Sequence, residues 1–467
     1  MVQCFEYAAP AVPRSSPTMT AANMAAKAKA FGIEVDIFTI GDLFPKPSEE
    51  EVLLWVRSLR EAAKKFKDNP RFALRPAAKE RAYSETGGLP SLREEIAYGF
   101  TRDTGLAVDA SHVRCGNGGK GALTGAFAFL AGKAQPVVMF AAPAWPTNYD
   151  MFPHGTRIIE VDTQGRGIMS AKELSEALKQ FPNPEVILIN APSNPTGANY
   201  SPQEREAVLT VIKNETKTTL VAFDDPYGKL VFDREPYDVK TVLQRGAVEK
   251  ELFAAGRIAT FRTASKEYGM AGSRVGWLVT RNNDMLVSLQ NYNESKGGGI
   301  SSTTQLEVQA ALCFGDDFIT KTVATLKEKR EIVVKGVASL QYATMLPPQG
   351  TIYAWIDFSK LKGKFVPIEA LRTEAAQESP EVMSNMQRKS GGFTLDVPAD
   401  LMRYLVFVAG VCPVQGTPFF APESPAGVTD WHVRMSICND VAELTRGLEK
   451  LQRAEGLLKN SAGEAAA

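Results

Sequence analysis

At 467 residues the chain has room for roughly three domains of about 150 residues, and its 44% hydrophobic and 23% charged residues are an ordinary globular mixture. With 53 basic and 53 acidic residues the formal net charge is zero, which argues against binding nucleic acid through a global basic excess. The five cysteines are scattered with no CxxC pair, and the three histidines form no HExxH or paired His/Cys pattern, so neither a disulfide framework nor a zinc hydrolase is indicated.

No apolar run is long enough to span a bilayer, which takes about 20 residues. The start of the chain is short of acids and carries Arg14, Lys27 and Lys29, a feature of organelle-targeting segments, but it lacks the apolar stretch of a secretory signal. The compartment expected is the cytoplasm.

In chain order, residues 1–20 hold Pro10, Pro13 and Pro17 among Ser and Thr and read as an irregular arm. AANMAAKAKAF (21–31) is helical by propensity, and GIEVDIFTIGDLFPKP is a short β-type run ending in a turn. SEEEVLLWVRSLREAAKKF (48–66) reads as an amphipathic helix capped by Ser48. From about 110 to 280, PVVMF, EVILIN, TTLVAF, RIATF and GWLVT alternate with helical stretches such as SPQEREAVLTVIKNE, which opens on a capping box of Ser201 and Glu204. Strands alternating with helices predict an α/β fold, a mostly parallel central sheet with helices on both faces. Beyond about 335, GTIYAWIDF, RYLVFVAGV and VRMSI read as strands, 376–400 as an elaborated loop, and the segment with Val441, Leu444, Leu448 and Leu451 on one face as a closing helix capped by Asp440. That order predicts a smaller α+β domain. The division expected is an arm and part of the small domain in 1–74, a large domain in 75–335 and the rest of the small domain in 336–467.

Open α/β sheets bind ligands beyond the carboxyl ends of their strands. There the sequence places Trp145 after PVVMF, Asn194 after EVILIN, Asp224, Asp225 and Tyr227 at the end of TTLVAF, and Ser265 and Lys266 after RIATF. An aromatic to stack on a ring, a carboxylate to pair with a ring nitrogen, a phenol and an amide for a ring oxygen, and an amine for a Schiff base suit a phosphorylated heteroaromatic aldehyde. Each residue alone has a plainer reading: Trp145 as core, Asn194 as a turn, the aspartates as caps, Lys266 and Arg274 as surface charges. CGNGGKGAL (115–123) is either a tight strand–helix turn or a helix N-terminus offering N–H groups to a phosphate; it lacks the Walker spacing.

Taken in order, the Gly-rich turn, Trp145, SNPTG, DDPY and TASKEYGMAGSRVGW resemble the fold type I, class I/II pyridoxal-phosphate aminotransferases, closest in motif to the prokaryotic-type aspartate and aromatic enzymes. The resemblance runs from SSPTMTAANMAAKAKAFG to VRMSICN, with YSETGGLPSLREEIA (83–97) between. It implies that Lys266 carries the cofactor as a Schiff base, that Asp224 faces the pyridine nitrogen, that Tyr227 and Asn194 hold the ring oxygen, and that Trp145 stacks on the ring. It further implies a phosphate cup of Arg274, Ser265, Thr263 and the N–H groups of Gly119 and Lys120, and a homodimer in which Tyr83 reaches the neighbouring subunit's phosphate. Arg434 matches the arginine that grips the substrate α-carboxylate, Gly41 a glycine near the substrate, and Lys120 a lysine able to meet a distal carboxylate. Thr263 stands where serine is more usual. The implied activity is amino transfer between an amino acid and a 2-oxo acid; the alternatives are another pyridoxal-phosphate reaction at Cα (decarboxylase, C–S lyase, synthase or oxidase) or a cofactor-binding protein without catalysis. VQGTPFF, APESPAGVTDW and the polar stretch before them depart from the plain pattern and leave acidic, aromatic or unusual side chains open.

Overall fold

In this computed structural model, residues 2–39, 41–43, 84–234, 237–371 and 391–458 are described. Alternate residues of neighbouring strands enter two separate apolar clusters: Val138, Phe140, Val186, Leu188, Leu220 and Ala222 point into one, and Met139, Ile187, Ile189, Val221 and Phe223 into the other. A strand repeats every two residues, so such runs are apolar on both faces and need helices on each side.

The strands are β1 (Cys4–Ala8), β2 (Asp36–Ile37), β3 (Val113–Asn117), β4 (Val137–Ala142), β5 (Arg157–Asp162), β6 (Val186–Ile189), β7 (Leu220–Asp224), β8 (Ile258–Thr263), β9 (Val275–Thr280), β10 (Tyr353–Asp357), β11 (Phe365–Pro367), β12 (Gly392–Thr394), β13 (Val411–Cys412), β14 (Val414–Gln415) and β15 (His432–Ser436). The large sheet has the order β1-β5-β4-β6-β7-β8-β9-β3. Strands β5, β4, β6, β7 and β8 are parallel, β9 is antiparallel to β8 and β3, and β1 is antiparallel to β5. The fold is the mostly parallel α/β architecture that the alternation predicts. The carboxyl ends of β3, β4, β6, β7 and β8 and the start of β9 therefore share one edge.

The smaller domain is built on β10-β15-β14, with β2 pairing parallel to β13. The helix Val441–Glu455 is tied to β2 by Asp36, whose carboxylate accepts from Arg446 and pairs with Lys450 at 2.8 Å. The early part of the chain is thus shared: β1 joins the large sheet, β2 the C-terminal elements. Capping follows the sequence. Ser201 and Glu204 form their box, and Asp440 accepts from Glu443 N.

Four expectations need correction. The N-terminal arm is not irregular throughout, since β1 pairs with β5 and Glu6 bonds Arg157. Strands β3 and β5 are additional to the runs read from the sequence, because VRCGN and RIIEVD interrupt their apolar pattern with charge or glycine. RYLVFVAGV is mostly not a strand: the helix Pro398–Arg403 continues as a π-helical turn, Tyr404–Ala409, until Gly410 at φ 74° ends it, and only Val411–Cys412 is extended. Every residue of that turn is buried, and a short wholly apolar run does not distinguish a buried helix from a strand. The stretch 376–400 is not all loop, because 391–400 contains β12 and the start of the helix Pro398–Arg403. The helix expected over 48–66 lies outside the described residues.

Candidate active site

The shared edge of the large sheet opens into a cavity of about 280 Å³ lined by Gly41, Gly119, Lys120, Trp145, Asn194, Asp224, Tyr227, Thr263, Ser265, Lys266, Arg274 and Arg434. These are the residues singled out from the sequence, apart from Tyr83, which lies outside the described residues.

Asp224 is the last residue of β7, and its side chain is buried. Asn190, at the end of β6, donates to the Asp224 carbonyl at 2.7 Å and accepts from Asn194 N at 2.7 Å, pinning the SNPTG turn to the neighbouring strand. Burial, reinforced by the adjacent Asp225 charge, pushes the Asp224 carboxyl up to about 7. No ion pair reaches it among the described residues. Asp225 faces the other way, toward Arg245 at 3.4 Å.

Lys266 rides on the one-turn helix Ala264–Glu267 that follows β8, and its Nζ donates to the Gly41 carbonyl. Thr263 caps that turn: its Oγ1 accepts from Ser265 N at 3.2 Å, lies 2.9 Å from Ser265 Oγ and donates to the Val275 carbonyl at 2.9 Å. Two hydroxyls and the amine are therefore placed by one short segment.

The glycine-rich turn begins the helix Gly118–Phe127, whose first N–H groups have no intrahelical partner. Its backbone lies against β9 so closely that a Cβ on Gly276 would come 2.5 Å from Gly119 N. A side chain on Gly118, at φ 69°, would overlap the Arg274 guanidinium. Arg274 itself holds φ 51°, a left-handed conformation that costs an L-residue roughly 1–2 kcal/mol, and this turns its guanidinium onto the helix N-terminus. N–H groups, a guanidinium and two hydroxyls converge as an anion cradle.

Arg434 on β15 is 5% exposed, so a free guanidinium there needs a partner. It donates from Nη1 to Asn194 Oδ1 at 3.0 Å and from Nη2 to the Thr39 carbonyl at 3.3 Å, while Nε has no acceptor. No carboxylate pairs with it among the described residues.

Lys120 is exposed as a residue, but its ammonium folds back to 5.3 Å from the centre of the Trp145 ring, and burial together with Arg274 lowers its pKa. Lys120, Trp145, Thr18 and Arg434 also line a second, adjoining cavity of about 910 Å³. Its outer wall carries Arg14, which bonds Asp150 at 3.0 Å and the Pro146 carbonyl at 3.1 Å, together with Phe419 and Phe420. The segment bearing those two phenylalanines is held by the buried carboxylate of Glu160, which accepts from Tyr149, Ala421 N and Ser424.

Tyr353 and Asn190 line the inner cavity and were not picked out from the sequence. Asn190 sits in EVILIN itself, one residue past the strand, where a ligand-facing edge is expected. Tyr353 lies in a run whose alternation does not say which face meets the site.

The chain matches the model of the aminotransferase class I and II family over residues 53–449 and belongs to that family. It is 26% identical over 381 residues to a probable aspartate/prephenate aminotransferase of Rickettsia bellii, covering 80% of this chain and 84% of that protein. Its fold is similar to the crystal structure of the aspartate aminotransferase of Rhizobium meliloti, with a TM-score of 0.74 at 22% identity over 96% of this chain and 97% of that one. It is also similar to the Thermus thermophilus aspartate aminotransferase with maleate, with a TM-score of 0.71 at 20% identity over 95% and 97%. The chain is a fold type I, pyridoxal-phosphate-dependent aminotransferase that passes an amino group between an amino acid and a 2-oxo acid. Among the described residues no helix is long and apolar enough to cross a membrane.

Proposed function

We propose that this site transaminates dicarboxylic amino acids, with Lys266 as the amine, Asp224 as the partner of the ring nitrogen and Arg434 as the α-carboxylate site. The observation that carries the reading is a pair of uncompensated charges across one cavity. Among the described residues, Asp224 is buried with no cation paired to it and Arg434 is buried with no anion paired to it. Unpaired buried charges are costly, so each is expected to face a ligand of opposite charge.

The donor set fits pyridoxal phosphate: a buried carboxylate for a pyridinium, an amine for the aldehyde, and an anion cradle for the phosphate. When bound, the cofactor supplies a carbonyl for the amino group and a ring that accepts electron density from Cα. Asp224 holds the ring nitrogen protonated. Arg434 orients the substrate through its α-carboxylate, its planar fork suiting a bidentate pair. Lys266 would be the amine that moves the Cα proton on Nζ, as base and then acid. Tyr227 and Asn194 supply a phenol and an amide toward the ring oxygen, and Trp145 covers the ring. Thr263, Ser265, Arg274 and the N–H groups of Gly119 and Lys120 hold the phosphate.

Lys120 supports the acidic side chain, since its ammonium stands on the wall common to both cavities. Similar proteins are named aspartate or aspartate/prephenate aminotransferases. The larger cavity, with Trp145, Phe419 and Phe420 on its walls, favours a second reading in which an aromatic donor is also accepted. The working unit proposed is a cytoplasmic homodimer in which Tyr83 completes the neighbouring phosphate site.

The test is a half-reaction screen of the holoenzyme with aspartate, glutamate, phenylalanine and tyrosine, followed by the change in cofactor absorbance. Arg434→Ala should cost every donor on the order of 2–5 kcal/mol in kcat/KM. Lys120→Ala should penalise only aspartate and glutamate. A Lys120 effect that is uniform or absent removes the acidic reading, and a silent Arg434→Ala removes the carboxylate site.

A further inference from the structure

β10 and β15 pair antiparallel with Trp355 opposite Arg434 and Tyr353 opposite Ser436. Opposed residues of a ladder share a face, so Tyr353, Trp355 and Arg434 project from the same side of the small sheet, with Tyr353 as the diagonal neighbour of Arg434. The Arg434 guanidinium carbon lies 4.0 Å from the centre of the Tyr353 ring and 5.1 Å from that of Phe419. Phe419 is in turn packed edge-on against Trp355, with centroids 5.3 Å apart. Among the described residues the guanidinium has two hydrogen-bond acceptors, both neutral. Its position in the site therefore depends heavily on the two rings.

The other end of Tyr353 reaches the chemistry. Its hydroxyl fills the space that a side chain on Gly41 would take, and Lys266 Nζ lies 3.3 Å from the same point. Its ring meets Tyr227 edge-on at 6.1 Å. Burial would raise the Tyr353 phenol, but Arg434, Lys266 and the Tyr227 hydroxyl outweigh it and lower its pKa.

We propose that Tyr353 is a positioning residue of this active site, whose ring seats the Arg434 guanidinium against the substrate α-carboxylate. The inference rests on the assignment of Arg434 as the carboxylate site. A cation held on an aromatic face in a desolvated site gains enough that removing the ring should weaken carboxylate binding by roughly three- to thirty-fold. Phenylalanine keeps the ring and tests the platform separately from the hydroxyl.

The experiment titrates maleate and 3-phenylpropanoate, an acidic and an aromatic carboxylate that carry no amino group to transfer, into holoenzyme by calorimetry. Wild type, Tyr353→Leu, Tyr353→Phe and Arg434→Ala are compared, and cofactor dissociation and circular dichroism are recorded for each. Tyr353→Leu should bind whichever carboxylate the wild type prefers three- to thirty-fold more weakly, with KM for amino donors rising in parallel and the cofactor retained. Tyr353→Phe should restore both to within about twofold of wild type. Unchanged binding in Tyr353→Leu overturns the proposal, and so does an equal loss in the Leu and Phe variants. If Arg434→Ala binds as the wild type does, the fault lies in the assignment of Arg434. If Arg434→Ala fails to bind while Tyr353→Leu binds normally, only the role of Tyr353 is refuted.

Discussion

Asp224 is the group whose environment makes the sharpest demand on experiment. Moving a buried carboxyl from its ordinary value near 4 to about 7 is a preference of about 4 kcal/mol for the protonated form. The sign follows from linkage. Between about pH 4 and 7 the folded apoprotein keeps a proton that the unfolded chain has released, so stability falls as pH rises through that window and levels off above about 7. Asp224→Asn has no such proton. Any cost of burying the amide is the same at every pH, so the informative quantity is how the stability gap between variant and wild type changes. Between pH 5 and 8.5 it should move in favour of the variant by up to about 3 kcal/mol, near 1.4 kcal/mol for the first pH step, less as pH approaches 7, and levelling off above it. For a chain of this length unfolding as a unit, that is roughly 3 °C in thermal midpoint. Scanning calorimetry of the two apoproteins across that range measures it. With cofactor bound, the same substitution should slow the half-reaction by about two decades or more if Asp224 is the charge partner of the ring nitrogen, as proposed. A gap in midpoint that is equal at pH 5 and pH 8 refutes the unpaired-carboxylate argument, whatever the kinetics show.

Asp225→Ala should behave in the opposite manner: it strips Arg245 of one of its two buried carboxylate partners, destabilising the fold by about 3 kcal/mol, while its half-reaction slows far less than that of Asp224→Asn. Thermal midpoints and single-turnover rates on both variants separate the two aspartates. Gly41→Ala places a methyl group on the Tyr353 hydroxyl beside Lys266, so kcat/KM should drop by roughly tenfold or more with the circular dichroism spectrum unchanged, an overpacking cost of about 1–3 kcal/mol.

The parts of this molecule legible in its sequence are those where local chemistry and tertiary demand agree. PVVMF, EVILIN and TTLVAF are apolar on both faces because both faces are covered, and each is a strand. The residues just past those strands could be placed at one edge without coordinates, since parallel strands align their carboxyl ends. Strand β5 was not legible: its Glu160 looks like a surface acid, yet it is buried because it fastens the Phe419–Ser424 segment. RYLVFVAGV looks like a strand in sequence, yet it continues a preceding helix until Gly410 ends it. Tyr353 is not legible for another reason. Its proposed role depends on which face of β10 meets Arg434, and that register arises from pairing with β15, nearly eighty residues later in the chain.

The central claim is that Lys266 is the amine that carries the cofactor. Borohydride reduction of the holoenzyme, proteolysis and mass mapping of the pyridoxyl group test it directly. The label is expected on the peptide containing Thr263–Arg274, at Lys266, and Lys266→Ala should lose both the label and multiple-turnover transamination. A label on Lys120 or any other lysine, or full turnover in Lys266→Ala, would contradict the account.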